Sequence, residues 1–106
     1  MMQKGLGNMM KQAQQMHTKM QEIQKELADK KVAAESGGGM VKITANGKGE
    51  ILSILIEKEI IKQEDKEVLE DLILVAINEA LRRSQELNVS EMSKVTGGMK
   101  IPGLFT

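Results

Sequence analysis

An α+β fold is predicted for this chain of 106 residues by three patterns in its sequence. An apolar seam at helical spacing occupies the first third. Alternating apolar and polar residues surround an Asn46-Gly47 turn in the middle, and a dense helical apolar pattern follows Glu64. The length fits one domain with a modest core. Leu, Ile, Val and Phe supply about a quarter of the residues, above the roughly 20% associated with disorder. The expected order is a long N-terminal helix, a three-stranded antiparallel sheet, and a long second helix with a short C-terminal helical extension.

The first element rests on Leu6, Met9, Ala13, Met16, Met20, Ile23 and Leu27, which recur at alternating steps of three and four. That is a heptad seam sustained over three repeats. Asn8 is the expected N-cap after Gly5-Leu6-Gly7, giving a flexible N-terminus at 1–7 and a helical arm at 8–30. At about 1.5 Å per residue the arm is roughly 33 Å long. Three heptads are short for an autonomous coiled coil, and Met and Ala specify a partner weakly. Two partners stay open: the chain's own sheet, or the same helix of a second copy.

Strands are expected over 31–57. Lys31–Ser36 is followed by Gly37-Gly38-Gly39, and Val41, Ile43 and Ala45 then alternate with Lys42, Thr44 and Asn46. Asn46-Gly47-Lys48-Gly49 is a hairpin signal, because Asn and Gly accept positive φ cheaply. In the strand after it, simple alternation puts Leu52, Ile54 and Ile56 on one face and Ile51, Ser53 and Leu55 on the other. The glycine run resembles a phosphate cradle only superficially, since a strand rather than a helix follows it.

The second helix is expected from Glu64 or Asp65, whose charge suits a helix N-terminus, to about Asn88. Asn88-Val89-Ser90 would then precede a short basic helical segment, Glu91–Thr96, so that 64–96 is helical and 97–106 a flexible tail. Val68, Leu69, Leu72, Ile73, Leu74, Val75, Ala76, Ile77, Ala80 and Leu81 cover well over half of the helix circumference. A helix resting on one sheet needs a single stripe. A second buried face is implied, most economically in a homodimer. Met9, Ala13, Met16, Met20, Ile23, Leu27, Leu72, Ile73, Ala76 and Ile77 are the expected dimer or core seams.

Composition excludes several function classes. The chain has no Cys and one His, which removes disulfides, thiolate nucleophiles and His-pair metal sites. The acid pairs Asp65/Glu67 and Glu70/Asp71 sit where acids complement a helix dipole, and His17 has no identifiable acid or nucleophile beside it. No enzyme, metal, cofactor or small-molecule substrate is expected. The longest apolar run, Leu72 to Ile77, is too short for a bilayer. The first twenty residues are neither a secretory signal nor an Arg- and Ser-rich transit peptide. A cytoplasmic protein without membrane association is expected.

Net charge is zero, which by itself argues against a nucleic-acid binder, but the charge is segregated. Residues 1–31 sum to +3, residues 63–91 to −5 and residues 92–106 to +2, and no acid precedes Glu22. With Leu6 at heptad position a, Lys4, Lys11, Thr18 and Lys25 all fall at f, opposite the seam, and Lys19 at g. Successive heptads rise about 10.5 Å. A row of Lys and Gln without aromatics suits phosphates of a duplex and offers no stacking platform for single strands. The alternative is ordinary solubility of an exposed face, with the Met-rich seam docking a protein partner in a scaffold role.

Four stretches taken in order resemble the YbaB/EbfC family of bacterial nucleoid-associated proteins. They are Gly5-Leu6-Gly7-Asn8-Met9-Met10-Lys11-Gln12-Ala13-Gln14-Gln15-Met16, Glu35-Ser36-Gly37-Gly38-Gly39-Met40-Val41-Lys42-Ile43-Thr44-Ala45-Asn46-Gly47, Leu69-Glu70-Asp71-Leu72 with Ala76-Ile77-Asn78-Glu79-Ala80, and Thr96-Gly97-Gly98-Met99. The resemblance implies a tweezer-like homodimer that binds duplex DNA with limited sequence preference and has a nucleoid-associated location. Carried over by position, the DNA contacts are Lys4, Lys11, Lys19 and Lys25 on the first arm and Lys94 and Lys100 on the tail side. Arg82 and Arg83 stand near the arm base, where Glu79 and Glu86 are equally available as ion partners.

Overall fold

The computed structural model describes residues 2–95, with side chains from residue 5 onward. Its elements are α1 (Met2–Asp29), β1 (Lys31–Ser36), β2 (Val41–Asn46), β3 (Ile51–Ile56), α2 (Lys58–Lys62) and α3 (Lys66–Val95). The three strands form one antiparallel sheet in the order β1-β2-β3. The α+β class and the element order expected from the sequence are those observed.

Burial follows the alternation of β2. Val41, Ile43 and Ala45 are fully buried beneath α3, which covers the sheet with Ala76, Ala80 and Ser84 along its innermost line. These small side chains let the helix lie close over β1 and β2. Leu69, Leu72, Ile73 and Ile77 flank that line and pack against the same core. Leu72, Ile73, Ala76 and Ile77 are therefore core residues within one chain.

The turn between β1 and β2 needs its glycines, since Gly37, Gly38 and Gly39 all have positive φ, at 61°, 67° and 93°. It is tied to the helix where the Ser36 hydroxyl donates to the Leu72 carbonyl at 2.6 Å. At the start of α3, Asp65 Oδ1 accepts from the Val68 N–H at 3.1 Å and so caps the helix.

Four features depart from the sequence reading. Helix α1 starts at Met2 rather than at Asn8, so Asn8 is interior and not a cap. Gly5 and Gly7 each cost only about 1 kcal/mol relative to Ala in a helix, too little to stop one flanked by Met, Gln and Lys. The short helix α2 was not anticipated; Ile60, only 3% exposed, anchors it. No break occurs at Asn88, because its side chain is used elsewhere: Nδ2 donates to the Gly47 carbonyl at 3.1 Å, and α3 continues to Val95. Finally, a bulge in β3 pairs Thr44 with Ser53 but Ala45 with Ile51. Leu52 is the extra residue, and Ile51 moves to the inner face with Ile54, against simple alternation. The expected tail, 97–106, lies outside the described residues.

The molecule measures 75 × 26 × 16 Å with a radius of gyration of 20.1 Å, against about 13 Å for a compact chain of this size. The extension comes from α1, which at about 1.5 Å per residue is roughly 42 Å long. Only its last turns touch the body. Leu27 is fully buried, whereas Leu6, Met9, Met16 and Met20 are 62%, 67%, 37% and 39% exposed. Among the described residues the heptad seam thus docks through Ile23 and Leu27 and does not lie on the sheet.

The docking point is the β2–β3 turn. The Gly47 N–H donates to the Leu27 carbonyl at 2.8 Å and to the Lys30 carbonyl at 3.1 Å, and Asn46 Nδ2 donates to the Ala28 carbonyl at 3.3 Å. These bonds cap the carbonyl end of α1. Gly47 is required by close approach rather than by positive φ: a Cβ there would lie 2.6 Å from Leu27 Cδ2 and 3.0 Å from the Leu27 carbonyl oxygen. The turn's left-handed residue is Gly49, at φ 82°.

Leu27→Ala should cost about 2–5 kcal/mol by chemical denaturation, as for any fully buried leucine. Gly47→Ala should cost about 1–3 kcal/mol through overpacking. In the Gly47 variant, amide exchange over residues 20–30 should accelerate more than in β2, because the added methyl displaces the arm and not the sheet.

Candidate nucleic-acid interface

The candidate site is the outer face of α1, and its geometry follows from the helix period. Lys11, Thr18 and Lys25 share one line, each a heptad apart, with Gln14, Gln15 and Lys19 beside it. Lys11, Lys19 and Lys25 are exposed. None of the three enters an ion pair within the described residues, in contrast to Lys30, Lys66, Arg82, Arg83 and Lys94. Lys11, Gln14, Gln15, Thr18, Lys19 and Glu22 border one shallow open surface. Glu22 is the first acid on the arm and stands three residues from both Lys19 and Lys25. The Thr18 hydroxyl donates to the Gln14 carbonyl at 3.0 Å, inside its own helix.

The structure separates the other sequence-derived candidates. Lys94 is held at 3.2 Å from Glu91 Oε1 and is not a free cation. The Lys4 side chain and all of Lys100 lie outside the described residues. Arg82 and Arg83 are ion partners within the body: both bind Glu79, and Arg82 also reaches Glu86. Arg83 additionally donates to the Ala33 carbonyl of the edge strand β1. Lys11, Lys19 and Lys25 share one face of α1, and Lys94, held by Glu91, is not joined to them.

A second charged cluster holds the base of the arm. Glu91, 6% exposed, takes Lys30 at 2.7 Å and Lys94 at 3.2 Å on the same carboxylate oxygen. The hydrogen bond from Lys30, then that from Lys94, lowers the Glu91 pKa against the opposing effect of burial. The same bond raises the pKa of Lys30. On α3, the hydrogen bond from Arg82, joined by one from Arg83, takes the Glu79 carboxyl down to about 2. Sequence reasoning missed the Glu91 cluster, because its members are sixty-one residues apart in the chain.

The body carries an uncovered apolar surface. Ile51, Leu52, Ile54 and Leu55 of β3 are 37%, 47%, 47% and 63% exposed. Ile51 and Ile54 are on the inner face of the sheet, where α3, which lies mainly over β1 and β2, leaves them partly exposed. On α3 itself, Leu81 lies beside Gly47, Lys48 and Gly49 of the hairpin, so it faces the β3 side. Leu74, one heptad earlier, shares that side and is 58% exposed. The four side chains form one apolar shelf.

No group of three or more His, Cys, Asp or Glu is arranged to hold a metal ion among the described residues, and no described helix is long and apolar enough to cross a membrane. The structure is thus a long projecting helix with exposed lysines on a small α+β body. The chain belongs to the YbaB/EbfC DNA-binding family, which it matches over residues 2–99. It is 52% identical over 100 residues to a nucleoid-associated protein of Thermoanaerobacter pseudethanolicus, covering 94% of this chain and 90% of that protein. With a nucleoid-associated protein of Pelotomaculum thermopropionicum it shares 48% identity over 105 residues, covering 99% and 100%. Among solved structures, the crystal structure of uncharacterized protein HP0035 from Helicobacter pylori superposes with a TM-score of 0.74 at 25% identity, covering 87% of this chain and 94% of that one.

The carboxylates predict the acid limb of stability. A carboxyl more acidic in the folded chain than its ordinary value of 4.5 stabilises the fold above that value and stops doing so as pH falls through the folded value. The thermal midpoint should therefore drop as pH falls from about 4.5 toward about 2. Glu79→Gln should show a lower midpoint at neutral pH and a shallower acid decline. Lys30 has the opposite sign, with its contribution lost only as pH rises through its raised value.

Proposed function

We propose that this protein binds duplex DNA without catalysis, as a homodimer, mainly through lysine–phosphate contacts made by α1, and thereby organises the nucleoid or modulates gene expression. The observation that carries the reading is the row of unpaired, exposed Lys11, Lys19 and Lys25 on an arm whose first acid is Glu22. Lysine contacts to phosphate carry no base information, so sequence preference is limited. Lys4 and Lys100 add to this set by position, whereas Lys94 must first leave Glu91. The family to which the chain belongs and the names of its relatives support DNA as the partner and a cytoplasmic, nucleoid-associated location.

A second copy is the partner that suits the apolar shelf. Ile51, Ile54, Leu74 and Leu81 would be covered by the same four residues related by a two-fold axis. Duplication also serves affinity, because one arm offers few phosphate contacts. A dimer with about six to eight of them loses on the order of a thousandfold in affinity between 50 and 200 mM salt. A second reading, a scaffold that docks a partner helix with weak or no DNA binding, draws on the exposed methionines of the α1 seam.

Gel-shift titration of a duplex across a salt series separates the two. Binding should weaken steeply with salt, and Lys11→Glu with Lys25→Glu should abolish it at 50 mM while leaving sedimentation unchanged. No binding by the unaltered protein at 50 mM salt would refute the DNA reading. For the shelf, Ile54→Glu with Leu74→Glu should convert the sedimenting species to a monomer.

A further inference from the structure

The outer face of α1 is not uniformly charged. Lys11 and Lys25 stand on one line, and Thr18 lies midway between them. The neighbours of Thr18 on this face, three and four residues away, are Gln14, Gln15, Gln21 and Glu22. All five side chains are exposed. The amides of Gln14, Gln15 and Gln21 make no side-chain hydrogen bond among the described residues, whereas Gln24, on the inner side, reaches Met92 Sδ. Donors and acceptors between two cations reproduce what a groove of duplex DNA presents across its width: phosphate, base edges, phosphate.

The dimensions select the groove. Lys11 and Lys25 are separated by about 21 Å of helix axis. The major groove is about 12 Å wide and about 8.5 Å deep, and it admits an α-helix about 10–12 Å across. A helix entering it obliquely with Thr18 toward the floor carries the two lysines, each about 10.5 Å from the centre, toward opposite rims. The minor groove, about 6 Å wide, is too narrow for the helix. Following a single strand would favour an unbroken row of cations, which Thr18 and the glutamines interrupt.

We propose that α1 binds in the major groove, with Lys11 and Lys25 on phosphates of opposite strands and Gln14, Gln15 and Thr18 on base edges. The proposal rests on the DNA reading above and adds the groove and the bases to it. A glutamine amide, with donor and acceptor side by side, matches the N6 donor and N7 acceptor of adenine. The Thr18 hydroxyl hydrogen is used on the Gln14 carbonyl at 3.0 Å, which leaves a methyl suited to the methyl of thymine. A·T pairs are therefore the favoured floor. Glu22, the first acid of the arm, meets base amino groups there rather than phosphate oxygens. Lysine–phosphate contacts still supply most of the affinity, and the base preference is a modest one laid over them.

Gel-shift titration of the full-length protein at about 50 mM salt tests the groove with altered duplexes. In one, 7-deazaadenine replaces adenine, which removes N7 from the major groove and leaves the phosphates and minor groove as they were. In the other, glucosylated 5-hydroxymethylcytosine replaces cytosine, and its sugar fills the major groove. Affinity should fall about fivefold or more with the first, relative to the plain duplex, and further with the second. Equal affinities would overturn the proposal and leave DNA binding standing, whereas no binding to any duplex, plain ones included, would refute the DNA reading itself. Gln14→Ala with Gln15→Ala gives a second measurement, in a variant that keeps its arm because alanine is the better helix former. It should bind the plain and deaza duplexes alike, with the salt slope of the unaltered protein, since contacts to bases release no counterions. A persisting difference between those duplexes, or a shallower slope, would take the two glutamines off the base edges.

Discussion

The Asn46-Gly47 turn is the constraint on which the arrangement of this protein depends. Its backbone and side chains satisfy groups from both long helices at once. The Gly47 N–H and Asn46 Nδ2 take up the carbonyls at the end of α1, the Asn46 carbonyl accepts the buried Ser84 hydroxyl at 2.7 Å, and the Gly47 carbonyl accepts Asn88. Asn46 also closes its own loop, with Oδ1 receiving the N–H groups of Lys48 and Glu50 at 3.0 and 3.1 Å. A helix end that would otherwise expose unpaired carbonyls is thereby fastened to the sheet and to α3 together. The absence of a side chain at Gly47 lets Leu27 come close enough for this to happen.

That single anchorage explains how a thin arm projects from a small body. Leu27 and Ile23 supply the apolar contact, and Glu91, clamped by Lys30 and Lys94, supplies the polar one. A buried carboxylate is tolerable there because two ammonium groups share it. Among the described residues nothing outside the helix supports α1 beyond this joint, and its first turns are rich in Met, Gln and Lys, all good helix formers.

Charge is distributed in the same spirit. Two acids of α3 hold the arginines of the same helix: Glu79 binds both Arg82 and Arg83, and Glu86 meets Arg82. The two arginines of the body are thus neutralised within α3, whereas Lys11, Lys19 and Lys25 of α1 enter no ion pair among the described residues. Zero net charge conceals this division, since the excess acid of residues 63–91 stands away from the lysine row.

Much of this was legible in the sequence. Periodicity alone determined the class, the three strands, both long helices and the outward line of Lys11, Thr18 and Lys25, because a helix face and a strand face follow from spacing without reference to neighbours. What sequence could not supply were the pairings between distant residues. Asn88 reads as a helix breaker until Gly47 is seen to engage its side chain. Glu91 finds Lys30 sixty-one residues away in the chain, and the bulge in β3 puts Ile51 on the same face as Ile54, against simple alternation. The same holds for the α1 seam: its heptads were plain, but only the tertiary structure decided that the sheet does not cover it. Local geometry is written in consecutive residues, whereas which surfaces meet depends on contacts whose sequence separation no local pattern records.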